Sequence, residues 1–181
     1  MAVHSYLFVP GDRSERFEKA CLSGAGMVVI DLEDAVLPEH KDKARESVAS
    51  WLAAGGKACI RVNGMGTRWH EDDIALLREH RPLAMMLPKA ESHESLADLA
   101  PKLPEELPVI PIIESALGLW QVLDVACAPG VQRLAFGSVD FQLDAGIEEE
   151  EQALLYARSR IVLASAVAKL RAPVDGVTVA L

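Results

Sequence analysis

The feature that most constrains the fold is a series of short, nearly continuous apolar runs closed by turn residues. They cover residues 6–9, 28–32, 58–62, 84–87, 109–113, 133–136 and 176–180. Runs that are apolar at successive rather than alternate positions suit strands buried on both faces of a parallel sheet. Helical patterns fill the gaps. Residues 14–23 place Phe17, Ala20 and Cys21 on one stripe, residues 41–52 place Ala44, Val48 and Leu52, and residues 72–79 place Ile74, Leu76 and Leu77 among charges. Ser92 and Ser115 are expected to cap helices over 94–99 and 117–126. Glu148 to Glu151 put negative charge at the start of a helix running to about Leu170.

Alternating strands and helices admit an open doubly wound sheet or a closed (β/α)8 barrel. A dinucleotide-binding sheet calls for a glycine-rich turn after the first strand, and the turn here is Pro10-Gly11-Asp12-Arg13. The expectation is therefore an α/β protein of TIM-barrel type. A complete barrel takes about 250 residues, whereas this chain has 181. The expected architecture is one barrel domain over 1–181, truncated after the seventh strand, with the last βα unit missing. No linker or low-complexity segment divides it.

Composition narrows the partners. With 18 Lys+Arg against 27 Asp+Glu, the net charge of -9 opposes a nucleic-acid surface. No apolar run approaches the roughly 20 residues needed to span a bilayer, and Met1 to Arg13 lack the pattern of a signal peptide. A cytoplasmic protein, with neither nucleic acid nor membrane as partner, is expected. Cys21, Cys59 and Cys127 are scattered and suggest no disulfide or zinc site.

In parallel α/β proteins, chemistry collects at the carboxyl ends of the strands. Five successive runs end in polar residues: Asp31-Leu32-Glu33-Asp34, Arg61-Val62-Asn63-Gly64, Pro88-Lys89, Glu114-Ser115 and Gly137-Ser138-Val139-Asp140. Any one of these could be a solvated loop residue or a helix cap. Together they would ring one mouth. Glu114 and Asp140 follow adjacent strands with no cation beside them in sequence. Two readings are open: a shared hard cation, with Mg²⁺ the better fit to oxygen ligands, or an ion network with Arg61 or Lys89. His4, His40, His70, His80 and His93 lack ligand spacing and are expected mostly at the surface. Ser138 is not in a GxSxG elbow. Trp51, Trp69 and Trp120 are taken as packing residues, with Trp69 the most exposed.

The motifs Tyr6-Leu-Phe-Val-Pro-Gly-Asp-Arg-Ser-Glu-Arg-Phe17, Asp31-Leu-Glu-Asp-Ala35, Arg61-Val-Asn-Gly64, Leu87-Pro-Lys89, Ile113-Glu114 and Phe136-Gly-Ser-Val-Asp140 occur in order along the chain. This series resembles the citrate lyase beta subunit family of the HpcH/HpaI aldolase superfamily. The resemblance implies a Mg²⁺-dependent barrel enzyme that cleaves or forms a carbon–carbon bond in a CoA thioester such as citryl-CoA or malyl-CoA. It also implies a homo-oligomer, trimeric or hexameric. By the same resemblance, Glu114 and Asp140 are the metal ligands, Arg61 binds the substrate carboxylate, and Glu114 also contacts substrate. Asp31, Glu33 and Asp34 are acceptors around the metal's waters. Arg13, Arg16 and Lys89 are on the substrate side, the two arginines where CoA phosphates approach.

These roles have physical reasons. Cleavage of citryl-CoA leaves oxaloacetate and the enolate of acetyl-CoA, so the site must offset negative charge developing on oxygen. A planar guanidinium suits a carboxylate better than an ammonium does. Two departures stand out: Ser5 where relatives often carry arginine, and no counterpart of the C-terminal extension that in several lyases supplies an acidic catalytic residue. Three functions follow as expectations: an acyl-CoA lyase; an aldolase on free 2-oxo acids or a malyl-CoA thioesterase; and a non-catalytic metal- and carboxylate-binding protein completed by a partner.

Overall fold

The computed structural model describes residues 5–148 and 152–178. Contacts group the chain into two units, Met1–Met86 with Lys102–Leu107, and Leu87–Pro101 with Pro108–Leu181.

The first unit is built on parallel strands in chain order: β1 (Tyr6–Pro10), β2 (Met27–Asp31), β3 (Cys59–Arg61) and β4 (Ala84–Leu87). Their central residues, among them Val29, Ile30, Ile60 and Met85, are fully buried, as two-sided coverage demands. The register pairs Pro10 with Asp31 and Asp31 with Arg61, so the polar residues that end β2 and β3 lie side by side. Helices α1 (Phe17–Cys21), α2 (Lys41–Ala53) and α3 (His70–His80) bury the stripes expected of them, Ala44, Val48 and Leu52 on α2, and Ile74, Leu76 and Leu77 on α3. The α1 segment opens with a single 3-10 turn, Ser14–Arg16, so the helix is shorter than its pattern.

The second unit carries β5 (Val109–Ile113) and β6 (Ala135–Phe136), parallel, with Ile113 beside Phe136. Its helices are α4 (His93–Leu99), α5 (Ala116–Trp120), α6 (Val122–Ala126), α7 (Ser138–Ala145) and α8 (Leu155–Val167). The Ser92 hydroxyl accepts the N–H of Ser95 and that of Ser115 the N–H of Gly118, both at 3.1 Å, so both caps stand where the sequence puts them.

Several expectations are corrected. The helix over 117–126 is two helices, broken at Gln121. The Arg160 guanidinium takes the carbonyls of Leu119 and Trp120, at 3.1 and 2.8 Å, that a continuous helix would keep. The last helix begins at Leu155; of its expected acidic start, residues 149–151 lie outside the described residues. The short helix α7 carries Val139, Phe141, Leu143 and Ala145 at alternate positions, a strand-like period, and the sequence pattern places no helix there. The sixth strand is two residues long.

Residues 176–178 form no strand, and 179–181 lie outside the described residues. Pairing there is a single parallel bridge between Ala135 and Val174. Gly176 then lies against Ser138: a Cβ on it would stand 2.1 Å from the Ser138 Oγ, so the chain passes over the start of α7. The described residues thus show an α/β fold with six parallel strands rather than seven. None of the described helices is long and apolar enough to cross a membrane.

Candidate functional site

In the first unit, the register that sets Asp31 beside Arg61 makes a two-pronged ion pair: Arg61 Nε donates to Asp31 Oδ1 at 2.7 Å and Nη2 to Oδ2 at 2.5 Å. Asp31 is 1% exposed. Its carboxylate also accepts the backbone N–H groups of Glu33 and Ala35, at 2.8 and 3.0 Å. Four protein donors therefore occupy it. Glu33 and Asp34 approach Nη1 of the same guanidinium at 3.3 and 3.6 Å, and the Phe8 ring lies 5.3 Å from its central carbon. Burial alone would lower the Arg61 pKa; the bonded Asp31, with Glu33 and Asp34, outweighs it and pushes the pKa above the usual arginine range.

Beneath this pair is a polar network that the sequence reading did not find. Lys41, at the start of α2, is 6% exposed and donates to the carbonyls of Leu32 at 2.8 Å and Glu33 at 2.9 Å. Its ammonium stands 5.0 Å from the centre of the Trp69 ring. Burial lowers its pKa, against the opposing pull of Asp31, Asp73, Glu33 and Asp34. One turn on, Arg45 donates to Asp73, which is 0% exposed and also accepts from the backbone and side-chain amides of Asn63. His70, expected at the surface, is buried with Nδ1 2.8 Å from the Asn63 carbonyl, because the loop after β3 folds back over it. Lys41 and Arg45 sit at i and i+4 on the face that also carries Ala44 and Val48. That spacing was the available signal, masked by the habit of reading charged positions as solvated.

In the second unit, Glu114 follows β5 and is buried, 4% exposed. Its Oε1 accepts the Lys89 backbone N–H at 2.7 Å, where Lys89 adopts a left-handed φ of 50°. Lys89 thus meets Glu114 through its main chain, and its side chain is exposed. The residue after β6 must be glycine: a Cβ on Gly137 would meet the Glu114 Cβ at 2.5 Å and Oε2 at 2.7 Å. Asp140, half-buried in the first turn of α7, lies three residues beyond that contact. Ser115 donates to Glu91 at 2.6 Å, tying the loop after Glu114 to the loop after β4.

Glu114 ends β5 and Asp140 lies in the first turn of the helix that follows β6, and both carboxylates would be hard-oxygen donors. Among the described residues no group of three or more His, Cys, Asp or Glu side chains could hold a metal alone. Glu114 and Asp140 would leave the rest of a coordination sphere to ligand and solvent, which suits Mg²⁺, a cation usually held through one or two carboxylates. Arg13 and Arg16 lie after β1, largely exposed, near Asp12 and Glu15 at 3.9 and 3.8 Å. Both guanidiniums are more than half exposed, and ion pairs this open hold a side chain only weakly.

The chain is 32% identical over 178 residues to a citrate lyase subunit beta-like protein of Deinococcus radiodurans, covering 90% of this chain and 62% of that protein. It is 31% identical over 143 residues to a (3S)-malyl-CoA thioesterase of Cereibacter sphaeroides, covering 75% and 49%. It therefore spans about half to three-fifths of the length of these curated relatives. Among solved structures, protein CitE of Mycobacterium tuberculosis in complex with magnesium, acetoacetate and coenzyme A matches with a TM-score of 0.86 at 28% identity, over 99% of this chain and 68% of that one. The profile that matches residues 4–180 takes in every strand-end motif described above, and it places the chain in the HpcH/HpaI aldolase/citrate lyase family.

Proposed function

We propose that the chain carries the metal and carboxylate machinery of a Mg²⁺-dependent carbon–carbon lyase acting on a carboxylated acyl-CoA such as citryl-CoA or malyl-CoA. The observation that carries this reading is the buried Glu114 carboxylate, fixed by the Lys89 N–H and fitted against Gly137, the residue that leads into α7, whose first turn holds Asp140. Glu114 and Asp140 hold the metal. When bound, Mg²⁺ supplies Lewis-acid stabilisation of the negative charge that develops on oxygen as the carbon–carbon bond breaks.

Arg61 binds the substrate carboxylate. Its Nε–H and one Nη2 N–H are committed to Asp31 and Nη1 faces Glu33 and Asp34, which leaves the second Nη2 N–H, and Nη1 where a substrate carboxylate displaces the longer contact to Asp34, for that carboxylate. Asp31 aims the guanidinium, and Glu33 and Asp34 restrain its outer end. Glu114 contacts the substrate as well as the metal, and Arg13, Arg16 and Lys89 offer positive charge to the phosphates of CoA. A homo-oligomer, trimeric or hexameric, fits the exposed Leu155, Tyr156 and Leu163 along α8.

A second reading, hydrolysis of malyl-CoA, is favoured by the likeness to the (3S)-malyl-CoA thioesterase. Mass-spectrometric product analysis with malyl-CoA and citryl-CoA, with and without Mg²⁺, separates the two. Magnesium-dependent acetyl-CoA and an oxo acid mark a lyase; free CoA and the intact hydroxy acid mark a thioesterase. Mg²⁺ binding without any product would leave a binding protein and refute both.

A further inference from the structure

Lys41 is in an expensive place. A buried ammonium loses its hydration, and at the first position of α2 it also faces the positive end of the helix dipole. A lysine serving only to cover apolar surface would send its head group to water. Instead its Nζ reaches inward to the carbonyls of Leu32 and Glu33, at 2.8 and 2.9 Å, and under the Trp69 ring. The same short turn is held from the other side by Asp31, whose carboxylate accepts the N–H groups of Glu33 and Ala35. The peptides from Leu32 to Ala35 are thus pinned by their carbonyls to Lys41 and by their N–H groups to Asp31. What that turn carries is Glu33 and Asp34, which stand around Nη1 of Arg61. Through Trp69 the same ammonium also touches the loop after β3, the strand that ends in Arg61.

From this geometry we infer that Lys41 is a positioning residue for carboxylate recognition: it fixes the turn that sets the outer end of Arg61, without itself touching substrate. The inference rests on the proposed role of Arg61, and the test keeps the two apart. Binding of oxaloacetate in the presence of Mg²⁺, binding of Mg²⁺ alone, and the hydrogen-exchange protection of the Arg61 Nε–H resonance are measured for wild type, Lys41→Met and Arg61→Ala. The inference predicts for Lys41→Met a rise of at least tenfold in the oxaloacetate Kd, Mg²⁺ affinity within twofold of wild type, and loss of Arg61 Nε–H protection. A folded Lys41→Met with wild-type oxaloacetate affinity, or with an undisturbed Arg61 resonance, overturns it. An Arg61→Ala variant that binds oxaloacetate normally overturns the role of Arg61 instead. If Lys41→Met does not fold, Lys41→Arg carries the same test. Its longer, planar side chain cannot place its donors where the Lys41 Nζ stands without moving the turn, so the same tenfold loss is expected and an unchanged Kd contradicts the inference.

Discussion

The guanidinium of Arg61 lies edge to edge with the carboxylate of Asp31, Nε on Oδ1 and Nη2 on Oδ2, and the two residues are register partners on adjacent parallel strands. The inner edge of the guanidinium is therefore aimed by the sheet, and the turn after β2, through Glu33 and Asp34, sets only its outer end. A rigid donor prepared before the ligand arrives is what specific carboxylate recognition requires.

Arg61→Lys keeps the charge and loses the fork. One prong of a nearly fully buried carboxylate is then unmet, which should lower the unfolding free energy by about 1–3 kcal/mol. Carboxylate binding should weaken by at least tenfold, roughly 1.4 kcal/mol. Urea unfolding and a KM measurement check the two effects separately, and an unchanged KM and kcat would remove the assignment.

Gly137→Ala forces a methyl group onto the Glu114 side chain and within 3.0 Å of the Ile112 Cγ2. Overpacking of this kind destabilises by about 1–3 kcal/mol. Since the atom displaced belongs to Glu114, Mg²⁺ affinity should fall by at least tenfold, read by calorimetric titration. Loss of stability with intact Mg²⁺ binding would show that Glu114 is not a ligand.

Asp73→Ala leaves three donors, from Arg45 and both amides of Asn63, without their buried acceptor. Removing one partner of a buried ion pair costs about 3–5 kcal/mol. A loss of that order in chemical denaturation is expected, and a change below about 1 kcal/mol would contradict the network.

Lys41 titrates lower in the folded chain than in the unfolded one, where its pKa is about 10.4. Between the two values the unfolded chain holds the extra proton, so stability rises with pH across that window. The unfolding free energy of wild type relative to Lys41→Met should therefore increase as pH climbs through the alkaline range towards about 10.4. A flat or falling difference would contradict the burial of a charged ammonium.

Six of the seven expected strands and the polar residues that end them were legible because both follow from local chemistry: apolar runs, then a polar residue where the chain leaves the sheet. Arg61, Glu114 and Asp140 could be named that way. The buried stripe of Lys41 and Arg45 could not, since a charged residue on a helix reads as solvated until its partners, the Leu32 and Glu33 carbonyls and Asp73, are brought to it by the fold. The break at Gln121 was hidden for the same reason, because Arg160 lies some 40 residues away in sequence. Gly176 was read as part of an apolar run, while its contact with Ser138 depends on α7, a helix whose apolar residues alternate and leave no helical signature.

The central claim is that Glu114 and Asp140 hold a magnesium ion, and titration of the chain with Mg²⁺ by isothermal calorimetry tests it most directly. The account predicts one site, with affinity reduced at least tenfold in Glu114→Gln and in Asp140→Asn while Glu79→Gln, at an exposed position on α3, stays within about threefold of wild type. Equal Mg²⁺ binding in wild type and both ligand variants would contradict it and move the metal away from these strand ends.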